Sequence, residues 1–108
     1  MDTQPEGPRR TCAPHGELPE LRREIEALDR QLMELITSRC RLARAAGERK
    51  RAAALPVADP AQEALVVRRA AVRARQADID EEGVRQLFWC VIGLSRKVQE
   101  IRTPEERR

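Results

Sequence analysis

An all-α domain of three helices, one long and two shorter, is what this sequence predicts, and three observations carry the prediction. The composition is helical: Ala, Leu, Arg and Glu dominate, and one Phe (Phe88) and one Trp (Trp89) leave too little for a β-rich core. Apolar residues recur at three- and four-residue spacing over long stretches, the period of a helix with one packed face. Helix-start signals stand where each shorter stretch begins. At 108 residues the chain is one domain, near the size at which a single core becomes sufficient.

The first helix begins at Leu18. Leu18, Leu21, Ile25, Leu28, Leu32, Leu35, Leu42 and Ala46 form its seam, Pro19 suits its first turn, and Leu55-Pro56 ends a pattern unbroken from 18 to 54. At ~1.5 Å per residue such a helix runs about 55 Å, longer than a globule of this size is wide. One chain cannot cover it, so the expected unit is a homodimer, an intertwined helical bundle.

Asp59-Pro60-Ala61-Gln62 opens the second helix, with Asp59 as N-cap, Pro60 at the first helical position and Gln62 placed as in a capping box. Leu65, Val66, Ala70 and Val72 supply a partial apolar stripe to about Gln76. Asp80 caps the third helix, and Glu81 and Glu82 lie in its first turn, where the helix dipole favours acids. Val84, Leu87, Phe88, Val91, Ile92, Leu94 and Val98 carry that helix to about Ile101. Residues 1–16, rich in Pro and Gly, and residues 103–108 read as disordered tails around a domain at 17–102. His15, the only histidine, falls in the first tail and is set aside as a ligand or base.

The net charge of +3 is spread through the chain and forms no basic block, so nucleic acid is not the expected partner and a small anion fits as well. Of 21 cations only Lys50 and Lys97 are lysines. Cys12, Cys40 and Cys90 form no C-x-x-C and read as tail or small apolar filler. No apolar run is long enough to span a bilayer or to serve as a signal segment, which points away from a membrane and towards a reduced cytoplasm.

Function is sought where polar residues occupy core positions. The first seam steps Leu28, Leu32, Leu35, Arg39, Leu42, Ala46, Lys50, so Arg39 and Lys50 share its packed face. A buried cation without a counter-charge is costly and persists where an anion meets it. On the third helix Phe88, Ile92, Ser95 and Gln99 form one stripe that ends in two neutral hydrogen-bonding groups. Glu63 shares a face with Val66 and Ala70 on the second. Arg22 lies more than four turns before Arg39 and could reach the same pocket only from an antiparallel partner. Long cations also snorkel from seam edges, so each residue alone is weak. Together they describe a closed pocket for a small, doubly anionic molecule. The sequence offers no ordered His, no nucleophile–base pair, no phosphate loop and no metal cluster, so neither a metal nor another cofactor is expected. An enzyme of these residues would orient its substrate and stabilise charge.

These residues in this order resemble the all-helical (AroQ-class) chorismate mutases. The stretches that carry the resemblance are L-R-R-E-I-E-A-L-D, S-R-C-R-L-A-R-A-A-G-E-R-K, D-P-A-Q-E and L-F-W-C-V-I-G-L-S-R-K-V-Q, and the match covers roughly residues 18–101. The resemblance implies a cofactor-free rearrangement of chorismate to prephenate. Arg39, and Arg22 of the opposite chain, would grip the substrate's two carboxylates. Lys50 and Gln99 would hydrogen-bond its ether oxygen. Glu63, helped by backbone at Asp59, would meet the ring hydroxyl, and Ser95 would assist a carboxylate. Gln62 departs from the family, which usually has Arg there. Either Gln62 only completes a cap while Arg68 or Arg69 restores the field, or the substrate has changed to 4-amino-4-deoxychorismate, whose ammonium would welcome the lost cation. An isochorismate pyruvate lyase is a further relative on this fold. A non-catalytic helical dimerisation module would explain the seam and the charge, but not the convergence of Arg39, Lys50, Glu63 and Gln99.

Overall fold

The computed structural model describes residues 16–100. These form three α-helices: α1 over Leu18–Ala52, α2 over Pro60–Gln76 and α3 over Glu81–Glu100. No strand occurs among the described residues. Nearly all of both tails, with Cys12 and His15, lies outside them. The chain divides within α1: one compact unit ends at Thr37 and the second begins at Ser38.

In the first unit Pro19 lies in the first turn of α1, and the Glu20 carboxylate accepts the N–H of Glu17, the residue before the helix, at 3.1 Å. The apolar seam has the expected period, but the other described residues leave it largely uncovered. Leu18, Ile25, Leu28, Leu32, Met33 and Leu35 are each between 54% and 71% exposed.

The second unit holds the rest of α1 together with α2 and α3. Its core is small: Val67, Ala70, Ala71 and Ala74 of α2 and Ile92 of α3 are the buried apolar side chains among the described residues. The stripe expected on α2 is therefore out of phase. Of Leu65, Val66, Ala70 and Val72 only Ala70 is buried, and Val72 is exposed. The face that packs is the one carrying alanines, because small side chains let two helices approach closely. Helices α2 and α3 run antiparallel, tied at the loop end by Arg75, whose Nε and Nη2 donate to Glu81 at 2.8 and 3.2 Å, and at the far end by Arg96 and Glu63.

Helices α2 and α3 begin as the sequence indicates. The Asp59 carboxylate accepts the Gln62 N–H at 3.2 Å, and Asp80 accepts the Gly83 N–H at 2.6 Å. Helix α2 also ends at Gln76 as the sequence indicates, whereas α1 stops two residues short of the expected 54. Helix α1 stops before Leu55-Pro56, in a left-handed residue, Ala54, at φ 59°. Leu55 N–H then reaches back to the Lys50 carbonyl at 2.8 Å and Ala54 N–H to that of Arg51 at 3.1 Å, the two bonds of a Schellman motif. Helix α2 ends the same way, with Asp78 at φ 59° and Ile79 N–H bonded to the Ala74 carbonyl at 2.9 Å. Neither site has the glycine that such a conformation favours. Ala54→Gly should raise stability by about 1 kcal/mol, and Asp78→Gly by less, since Asp tolerates this region better than Ala. Chemical denaturation of each variant checks both the sign and the order.

Candidate active site

The unusual end of α1 builds one wall of a cleft. Lys50, whose carbonyl closes the Schellman motif, swings its Nζ to the Val57 carbonyl at 3.0 Å in the segment leading to α2. That bond uses one of three ammonium donors and fixes the cation at the cleft wall. Gly47, one turn earlier, is buried against α3. A Cβ there would sit 3.1 Å from Cβ and Cγ of Gln99, so the glycine is what lets Gln99 lie so close. Arg51 donates to the Gln99 carbonyl at 2.6 Å and holds the end of α3 to the same stretch of α1.

The cleft has a volume of ≈ 340 Å³, enough for a small molecule, and its lining comes entirely from the second unit. Arg39, Lys50, Glu63, Ser95 and Gln99 all line it, as do Asp59 and Gln62. The five interior candidates are half-buried, whereas Asp59 and Gln62 are exposed and serve the cap of α2. Arg39 donates through Nη1 to the Ser95 hydroxyl at 2.5 Å, and that hydroxyl in turn donates to the Val91 carbonyl at 3.1 Å. This relay fixes the guanidinium with one of its five donors and leaves the others for a ligand. Arg22 belongs to the first unit, is exposed, and is not part of this lining.

One charged residue of the lining is not among those the sequence singles out. Arg96 meets Glu63 with two parallel bonds, Nε to Oε2 at 2.9 Å and Nη2 to Oε1. Its signal was present, because it stands four residues after Ile92 on the stripe begun by Phe88. Arg68 and Arg69, expected to replace the cation missing at Gln62, are exposed and stand outside the lining. Arg96 supplies a cation there instead. Its hydrogen bonds hold the Glu63 carboxyl below the usual carboxylate range, with a further Coulombic contribution from Lys50, and they outweigh the opposing effect of burial. Among the described residues no group of His, Cys, Asp and Glu could hold a metal ion, and no helix is long and apolar enough to cross a membrane.

A carboxyl whose pKa is lower folded than unfolded stabilises the fold above its unfolded pKa, and that contribution fades as pH falls through the folded value. Glu63→Gln should therefore lower the melting temperature near neutral pH. The gap to the unaltered protein should narrow as pH drops below the usual carboxylate range, which paired melting curves across that interval would reveal.

A family model described as chorismate mutase type II matches residues 21–100, a span that includes Arg22 and every residue lining the cleft. No curated protein matches the sequence at a significant level.

Proposed function

The chain belongs to the chorismate mutase type II family, and from that premise we propose that it rearranges chorismate to prephenate as a cytoplasmic, intertwined homodimer. The observation that carries this reading is the meeting of Arg39, Lys50 and Gln99 in one cleft, cations and a neutral donor set around a space the size of a small molecule. Charge supports it too. Among the lining residues Arg39, Lys50 and Arg96 oppose Asp59 and Glu63, three cations against two anions, a formal +1. The partner's Arg22 would raise this to +2, the complement of a dicarboxylate.

The rearrangement breaks a C–O bond as a C–C bond forms, within one molecule, and it calls for neither nucleophile nor proton transfer. Two contributions remain for a protein to make. Arg39 and the partner's Arg22 clamp the carboxylates, with Ser95 steadying Arg39, and hold the flexible substrate in its folded, reactive conformer. Lys50 and Gln99 donate to the ether oxygen, which gains negative charge as its bond to carbon stretches. Glu63 accepts the ring hydroxyl. A compact ammonium suits the ether oxygen better than a planar guanidinium in a closed cleft. A non-catalytic dimerisation module would leave this convergence of Arg39, Lys50 and Gln99 without a purpose.

Because Lys50 acts chiefly on charge present in the transition state, Lys50→Ala should lower kcat by ~10²-fold or more while KM moves much less. Arg39→Ala should damage both constants. Lys50→Arg should recover activity only in part. Near-normal kcat in Lys50→Ala would defeat this mechanism.

The shared site makes a separate prediction. Arg22→Ala and Arg39→Ala homodimers should each be nearly inactive, yet chains of the two variants mixed and refolded together should regain activity through heterodimers carrying one intact site. Activity that stays at the level of the parents would show that Arg22 does not serve the opposite chain.

A further inference from the structure

Arg96 and Glu63 together form one end of the cleft. The Arg96 guanidinium occupies both Glu63 oxygens, the acid 14% exposed by its side chain and the cation 52%, so the carboxylate lies within the cleft and the guanidinium at its mouth. Gln62 brings no charge, and its N–H is spent on the Asp59 cap. Arg96 donates to both Glu63 oxygens, while Lys50 acts on them through space.

We infer that Arg96 is a specificity-determining residue: by holding Glu63 in a two-bond ion pair, it makes this end of the cleft select a ring substituent that is a neutral hydroxyl and refuse one that is positively charged. The inference rests on the proposed activity and extends it to the substituent on the ring. A carboxylate offers about four acceptor positions, and Arg96 uses two, so a hydroxyl hydrogen can still be received. An ammonium approaching the same oxygens is drawn by Glu63 and repelled by the adjoining guanidinium. These contributions largely cancel, while the cost of stripping water from the ammonium remains. The charge count agrees. With the partner's Arg22 the site offers +2, matched by a dicarboxylate with a ring hydroxyl, whereas an ammonium in its place leaves one positive charge unanswered. The absence of Arg at position 62 therefore does not open the site to the amino compound, because the cation has moved to α3.

The test compares kcat/KM for chorismate and for 4-amino-4-deoxychorismate in the unaltered protein, Arg96→Gln, Arg96→Met and Arg96→Lys. The unaltered protein should prefer chorismate. Both neutral variants should shift the ratio towards the amino compound by about 10-fold or more, chiefly through a lower KM for that compound, while Arg96→Lys stays close to the original ratio. A purely structural role would depress both substrates alike. A ratio unmoved by Arg96→Gln or Arg96→Met, in a protein that does convert chorismate, overturns the inference and leaves the proposed activity standing. An unaltered protein that prefers the amino compound overturns the inference and the choice of chorismate as substrate together, and this arm decides even if neither neutral variant folds. An unaltered protein that converts neither compound overturns the activity and the inference together.

Discussion

A shortage of core governs this molecule. Within the described chain the buried apolar residues are Val67, Ala70, Ala71, Ala74 and Ile92, while thirteen large apolar side chains are at least 40% exposed. Burying a Leu or Ile side chain is worth ~1.5–3 kcal/mol, and ordering each backbone residue costs ~1–2 kcal/mol, so a core of mostly alanine cannot balance the second term. The proposed dimer would supply the missing apolar burial at the exposed seam of α1. A second copy of the same seam would meet that need. In the proposed dimer, the closure that covers the seam also delivers the partner's Arg22, so stability and completion of the site become one event.

The same economy of side chains positions the chemistry. Alanines on α2 allow α3 to approach, and that approach sets Arg96 against Glu63. Gly47 allows Gln99 to lie against α1. The Schellman turn after Ala52 points the chain so that Lys50 can reach the Val57 carbonyl. Arg39, Lys50 and Glu63 are thus each held by a hydrogen bond or ion pair before any ligand arrives, which is the preorganisation that charge-stabilising catalysis requires.

The sequence made the helices and most of the cleft legible, for reasons that can be traced. Periodicity and caps are local, so α1, α2 and α3 could be read to within a residue or two, and Asp59 and Asp80 could be named as caps outright. Arg39, Lys50, Ser95 and Gln99 stood out as polar residues interrupting apolar stripes, and all four line the cleft. What was illegible depends on tertiary packing. The buried face of α2 is chosen by how closely α3 can approach, which favours Ala71 and Ala74 over the more hydrophobic Leu65 and Val72. Arg96 stands on the stripe of Phe88 and Ile92, but only the antiparallel pairing of α2 with α3 brings residue 96 to residue 63. The left-handed ends at Ala54 and Asp78 carry no glycine and so left no mark in the sequence.

The proposed activity is acceleration of one bond exchange within chorismate, by holding the substrate and stabilising charge with side chains. Proton NMR of chorismate mixed with catalytic amounts of the purified protein, with no cofactor added, tests that claim most directly. Prephenate should be the sole product, formed far faster than in the protein-free control. A rate equal to the control, or release of pyruvate in place of prephenate, would contradict it.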